Sequence, residues 1–166
     1  MTTKGKATAG RGARHDRTIQ EHQHDTYKLR GKLTEPTVCT ECGVVFHKGR
    51  WTWDVKPVDA DEIICPACMR IRDQYPKGLV TLKGSFKDEQ QEQVTGLVKN
   101  AEEAEKHEHP LSRIMSIETR PEGLVISTTD SHLPRRIGEA LKHAYHGELE
   151  LHYDKDEDFV RVTWTR

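Results

Sequence analysis

The chain has 166 residues, 34% of them apolar and 32% charged, a smaller apolar share and a larger charged one than ordinary globular domains carry. One large core is excluded on that count, so part of the chain is expected to be tail or to be held by something other than apolar burial. No apolar run is long enough to cross a bilayer. The opening MTTKGKATAG lacks the apolar stretch of a secretory signal, and a cytoplasmic protein is expected.

The net charge of −1 hides an asymmetry: residues 1–35 sum to +4, residues 36–84 to +1 and residues 85–166 to −6. Residues 1–33 show no apolar periodicity and read as a basic, flexible leader, with Thr18 to Leu29 turning helical against a surface. Such a leader beside an acidic body suggests a polyanion-binding arm, or a tail that only keeps the protein soluble.

Residues 34–77 carry the strongest signal. Cys39-x2-Cys42 is followed, after 22 intervening residues, by Cys65-x2-Cys68. Two intervening residues let a tight turn aim both thiolates at one ion, and two such turns complete a tetrahedron. Thiols stay reduced inside the cell, which favours a metal over disulfides. The spacing predicts a four-cysteine zinc ribbon, with Gly43 supplying a positive φ after the first pair and Pro66 stiffening the second. Four thiolates leave no open coordination position, so the zinc is expected to be structural. Iron in a rubredoxin-like site and a redox-switched thiol centre are the less favoured alternatives. Val44 to Phe46 and Trp51 to Val55 read as the strands between the pairs.

Lys48, Arg50, Trp51 and Trp53 stand together there, and Arg70 and Arg72 follow the last cysteine. Aromatic rings beside cations can stack bases and grip phosphate. The same tryptophans can equally fill a core, which is the commoner use.

From Gly78 the pattern becomes that of an α+β domain over residues 78–166. GLVTLK (78–83) reads as a strand, and Asp88 to His107 as a helix with a narrow apolar stripe. Leu111 to Thr119 and Leu124 to Thr129 read as strands around Arg120-Pro121-Glu122-Gly123. Asp130 or Ser131 can cap a helix whose apolar face is Leu133, Ile137, Ala140, Leu141 and Ala144, stopped at Gly147. Two alternating runs, Leu149 to Tyr153 and Phe159 to Trp164, then form a hairpin. This order predicts a ferredoxin-like (split βαβ) domain with an extra strand at the edge.

His143 and His146 are three apart on the second helix but read as surface residues. No phosphate loop, nucleophile elbow or His-Glu-x-x-His is present, and no enzyme is expected.

Cys39-Thr-Glu-Cys42-Gly43, Gly49-Arg50-Trp51, Cys65-Pro66-Ala67-Cys68-Met69-Arg70 and HLPRRIGEALKHAY (132–145) resemble a set of short bacterial proteins. Those are labelled for similarity to the zinc-binding region of the large-subunit nuclear export adaptor named after nonsense-mediated decay. The resemblance implies zinc at Cys39, Cys42, Cys65 and Cys68 and binding to the large ribosomal subunit. The expected function is thus a non-enzymatic zinc protein that binds RNA, ribosome-associated, through the leader and the cysteine region. The alternative is a protein–protein adaptor or a redox- or stress-responsive regulator, whose partner meets the acidic C-terminal domain.

Overall fold

The computed structural model describes residues 25–166, and what was expected of residues 1–24 lies outside them. Two sheets of mixed direction and three helices make an α+β structure.

The first sheet holds four strands of three residues each: β1 (Thr37–Cys39), β2 (Val45–His47), β3 (Arg50–Thr52) and β4 (Asp61–Ile63). Their order is β3-β2-β1-β4, with β4 parallel to β1 and the other pairs antiparallel. Lys48 and Gly49 take φ of 53° and 75° in the turn joining β2 to β3, the left-handed pair a two-residue hairpin turn requires. Glu35 accepts both of their amide N–H groups, at 2.8 and 3.1 Å, and pins the turn to the incoming chain. The strand expected to run to Val55 stops at Thr52. Past it the chain leaves the sheet, and Val55 and Val58 are almost fully exposed.

A short helix, α1 (Pro66–Asp73), follows the last strand. Cys65 caps it: its sulfur accepts the Cys68 N–H at 3.4 Å, and Pro66 fills the first turn, where no amide donor is needed.

The second unit comprises β5 (Gly78–Lys83), α2 (Asp88–Glu108), β6 (Ile114–Arg120), β7 (Gly123–Thr128), α3 (His132–Tyr145), β8 (Glu148–Asp154) and β9 (Phe159–Thr165). Every element expected beyond Gly78 is present. Their sheet order is β6-β7-β5-β9-β8. Strand β7 lies antiparallel between β5 and β6, which are joined through α2, so this half is a split βαβ. The last strand corrects the expected topology. Instead of adding at the edge, β9 inserts beside β5, parallel to it, and pushes β8 outward. Its buried residues explain the choice. Val160, Val162 and Trp164 make β9 the most apolar strand of the final hairpin, whereas Leu151 and Tyr153 on β8 are about half exposed. The more apolar strand takes the covered position.

Both helices lie on one face of this sheet. Val94 and Val98 from α2 and Leu133, Ile137 and Leu141 from α3 pack on Val80, Leu82, Leu124, Ile126, Val162 and Trp164. Trp164 is fully buried and donates its ring N–H to the His146 carbonyl at 2.7 Å. The cap of α3 is Asp130, which accepts the Leu133 N–H at 3.2 Å and the Ser112 hydroxyl. Among the described residues no helix is long and apolar enough to cross a membrane.

Candidate metal centre

The first unit is too small to hold itself by apolar burial. Its core is Cys39, Val44, Cys65, Ala67 and Cys68, with Trp51, Ile64 and Leu111 against it. Three of its five central members are thiols, and a metal bound by them would supply the folding free energy that so small a core lacks.

The four sulfurs all lie within 4.8 Å of one another, and Cys39, Cys65 and Cys68 are buried. Cys42 and Cys65 are 3.8 Å apart, sulfur to sulfur. That separation is the edge of a tetrahedron of thiolates at zinc bond lengths, about 3.8 Å when each bond is about 2.3 Å. It is far longer than a disulfide bond. The donor set therefore fits a metal ion held by four cysteines. Among the described residues this is also the only grouping of three or more histidines, cysteines and carboxylates with such spacing.

The backbone prepares the sulfurs. Gly43, with φ of 79°, closes the first turn by donating its N–H to the Cys39 carbonyl at 3.0 Å. Cys65 N–H reaches the Cys39 sulfur at 3.2 Å. Burial alone would raise the Cys39 thiol, but the amides of Cys65, Cys42 and Glu41 outweigh it and bring the group down to about 7. For Cys65 and Cys68 burial wins, pushing Cys65 well up and Cys68 to about 11. A bound metal ion would keep such thiols deprotonated.

A residue that sequence reading passed over completes the site. Arg113, just ahead of β6, extends its guanidinium from the second unit into the thiol cluster. Its two terminal nitrogens donate to the Cys68 sulfur at 3.3 Å and the Cys42 sulfur at 3.1 Å. Its Nε donates to the Pro110 carbonyl at 2.9 Å, and only 7% of the residue is exposed. Burial works against the Arg113 charge, and the sulfurs more than restore it. No motif marks Arg113, because its partners lie 45 and 71 residues away in sequence.

The predicted nucleic-acid residues separate into two groups. Lys48 and Arg50 are exposed at the β2–β3 hairpin, and Arg72 is exposed on α1 with a loose Asp73 contact at 3.6 Å. Trp51 is half-buried against Phe46, ring centres 5.2 Å apart. Arg70 is turned inward: it is 5% exposed, with its guanidinium on Asp25 and on the Tyr75 carbonyl and the Tyr27 ring 4.5 Å away. Trp53 is likewise engaged, although 40% of it is exposed. Its ring N–H donates to the Lys106 carbonyl at 2.8 Å, and its face lies 5.5 Å from the Arg113 guanidinium carbon. Trp53 thus bridges the hairpin to the end of α2. His143 and His146 are both exposed.

Two grooves flank Trp51. One, of about 870 Å³, runs between the hairpin and the start of α3 and is lined by Arg50, Trp51, His109, Arg135 and Arg136 among others. The other, of about 880 Å³, lies beneath residues 25–35, with Lys28, Lys32, Gly49 and Tyr153 along it. Residues 25–33, read as leader, therefore lie against the body. Asp25 to Lys28 forms a turn, closed by the Lys28 N–H on the Asp25 carbonyl at 2.9 Å.

Compared with models of known families, with curated proteins and with solved structures, the chain matches none. The site itself defines a class: an α+β protein with a buried four-cysteine cluster that could hold a metal ion.

Proposed function

We propose that this chain is a non-enzymatic, structural-zinc protein that binds RNA, on the ribosome, through its hairpin and the adjoining grooves. Four thiolates fill a tetrahedral zinc, so no position is left for a substrate or a water nucleophile. The observation that carries the RNA reading is the border around Trp51. Lys48 and Arg50 stand exposed beside a half-buried ring, and Lys28 and Lys32 line the groove on its other side. Cations flanking an aromatic platform suit single-stranded RNA, whose phosphates and bases need both. The acidic charge of residues 85–166 confines the contact to this border.

The test is sedimentation through a sucrose gradient at low and moderate salt, comparing wild type with Lys48→Glu/Arg50→Glu. The wild type is expected to travel with a ribosomal subunit and to leave it as salt rises. Removing two phosphate contacts should lower the slope of log affinity against log salt by roughly one to two. A wild-type protein that stays at the top of the gradient at both salts rules the reading out. Metal content and visible absorption of the purified chain separate zinc, which is colourless, from iron.

A further inference from the structure

We infer that Arg113 closes the metal centre from outside and latches the second unit onto it, so that metal retention and docking of the two units depend on each other. A divalent ion with four thiolates carries a formal charge of −2, and here it would sit in the smaller core, where three of the four cysteines are buried. One guanidinium donating to two of those sulfurs removes half of that charge. It also draws on the lone pairs that would otherwise take up protons or attack an electrophile. The fit is built from several directions. Pro110 fixes the Nε end, the Trp53 ring covers one face, and Trp53 is itself tied to the Lys106 carbonyl.

The dependence runs both ways. Arg113 is nearly buried, and without anionic sulfurs its charge would keep only the Pro110 carbonyl and the face of the Trp53 ring. A buried charge stripped of its partners is strongly unfavourable, so the segment around it would have to move. Leu111, which packs on the thiol core, and the Trp53 bridge belong to the same join. By linkage, whatever the ion contributes to docking, docking contributes to holding the ion.

The experiment uses the full chain loaded with zinc, with Arg113→Met and Arg113→Lys beside wild type. Zinc content is measured first; a wild-type chain that takes up no zinc defeats the zinc reading and this inference with it. Transfer of zinc to a chromophoric chelator is then timed. Arg113→Met should release it roughly 10- to 100-fold faster, with Arg113→Lys in between because it keeps the charge and loses the fork. Release at the wild-type rate from a zinc-loaded Arg113→Met would overturn the proposal. Hydrogen exchange on wild type with and without zinc decides it even if the variants fail to fold. The amides of Arg113 and Thr129, which bond across the two strand ends, should lose protection on metal removal while those of β9 keep theirs. Protection at Arg113 and Thr129 that survives metal removal would sink the latch.

Discussion

Asp25 sits between two cations. One carboxylate oxygen meets the buried Arg70, the other lies 3.2 Å from Lys77, and Lys77 also reaches Asp158 at 2.8 Å. Through these bonds a chain segment, α1 and the β8–β9 turn are held at one point. Burial would raise the Asp25 carboxyl, but the Tyr27 amide, Arg70 and Lys77 together hold it below the ordinary aspartate value. Its contribution to stability is therefore complete above about pH 4 and lost as pH falls through the depressed value. Asp25→Asn should cost about 2 kcal/mol at pH 7 in urea unfolding, less than for a fully buried pair because Asp25 is partly solvated. Acid also protonates the thiolates, so Lys77 offers the cleaner titration. Burial would lower its ammonium, yet the bonds to Asp158 and Asp25 raise it. The sign then reverses: that contribution is complete below about pH 10.4 and lost as pH rises through the folded value. The stability gap between wild type and Lys77→Met should persist to about pH 10 and narrow only above it. A gap that closes near neutrality would show that the pair carries no such weight.

Among the elements, periodicity was legible where the run was long, and β2 and β3, of three residues each, were read from their place between the cysteine pairs. Helices α2 and α3 and the strands beyond Gly78 show apolar residues at helical or alternate spacing over six residues or more, and the periodicity placed them all. β1 and β4 have three residues each, too few to establish a period. Helix α1 has eight, and its signals were a capping thiol and Pro66, both absorbed into the reading of the metal pair. The place of β9 was not legible because alternation shows which face of a strand is buried, not which neighbour it takes. The turn before β7 was legible in detail. Gly123 has φ of 141°, and a Cβ there would overlap the Leu82 carbonyl, so only glycine lets β7 lie against β5. Gly123→Ala should destabilise the second unit by about 2 kcal/mol or more, as strained φ and a backbone clash combine. Thermal unfolding of that variant at the wild-type temperature would show that the sheet end can open at little cost.

At the scale of the whole molecule, the four cysteines were legible because their spacing is local, and Arg113 was not because its role exists only after folding. Two cores result, and they are unlike. The larger is held by aliphatic side chains from two helices and three inner strands, with Trp164 at its end. The smaller is mostly sulfur, a donor set that could hold an ion. Beside the Asp25 cluster that ties α1 to the β8–β9 turn, the two cores meet through Arg113, Trp53 and Leu111, and this contact leads back to the thiols. Removing the ion should therefore split one cooperative unfolding transition into two. With a chelator present, the fluorescence of Trp51 and Trp53 should report loss of the first unit at low urea. Far-ultraviolet circular dichroism, dominated by α2 and α3, should hold until a higher midpoint. In zinc-saturated buffer the two probes should coincide, because a metal that binds only the folded first unit raises its stability toward that of its neighbour. Coincident transitions with the chelator as well would mean that apolar contact alone holds the first unit, and that the cysteines do not depend on a metal for their fold.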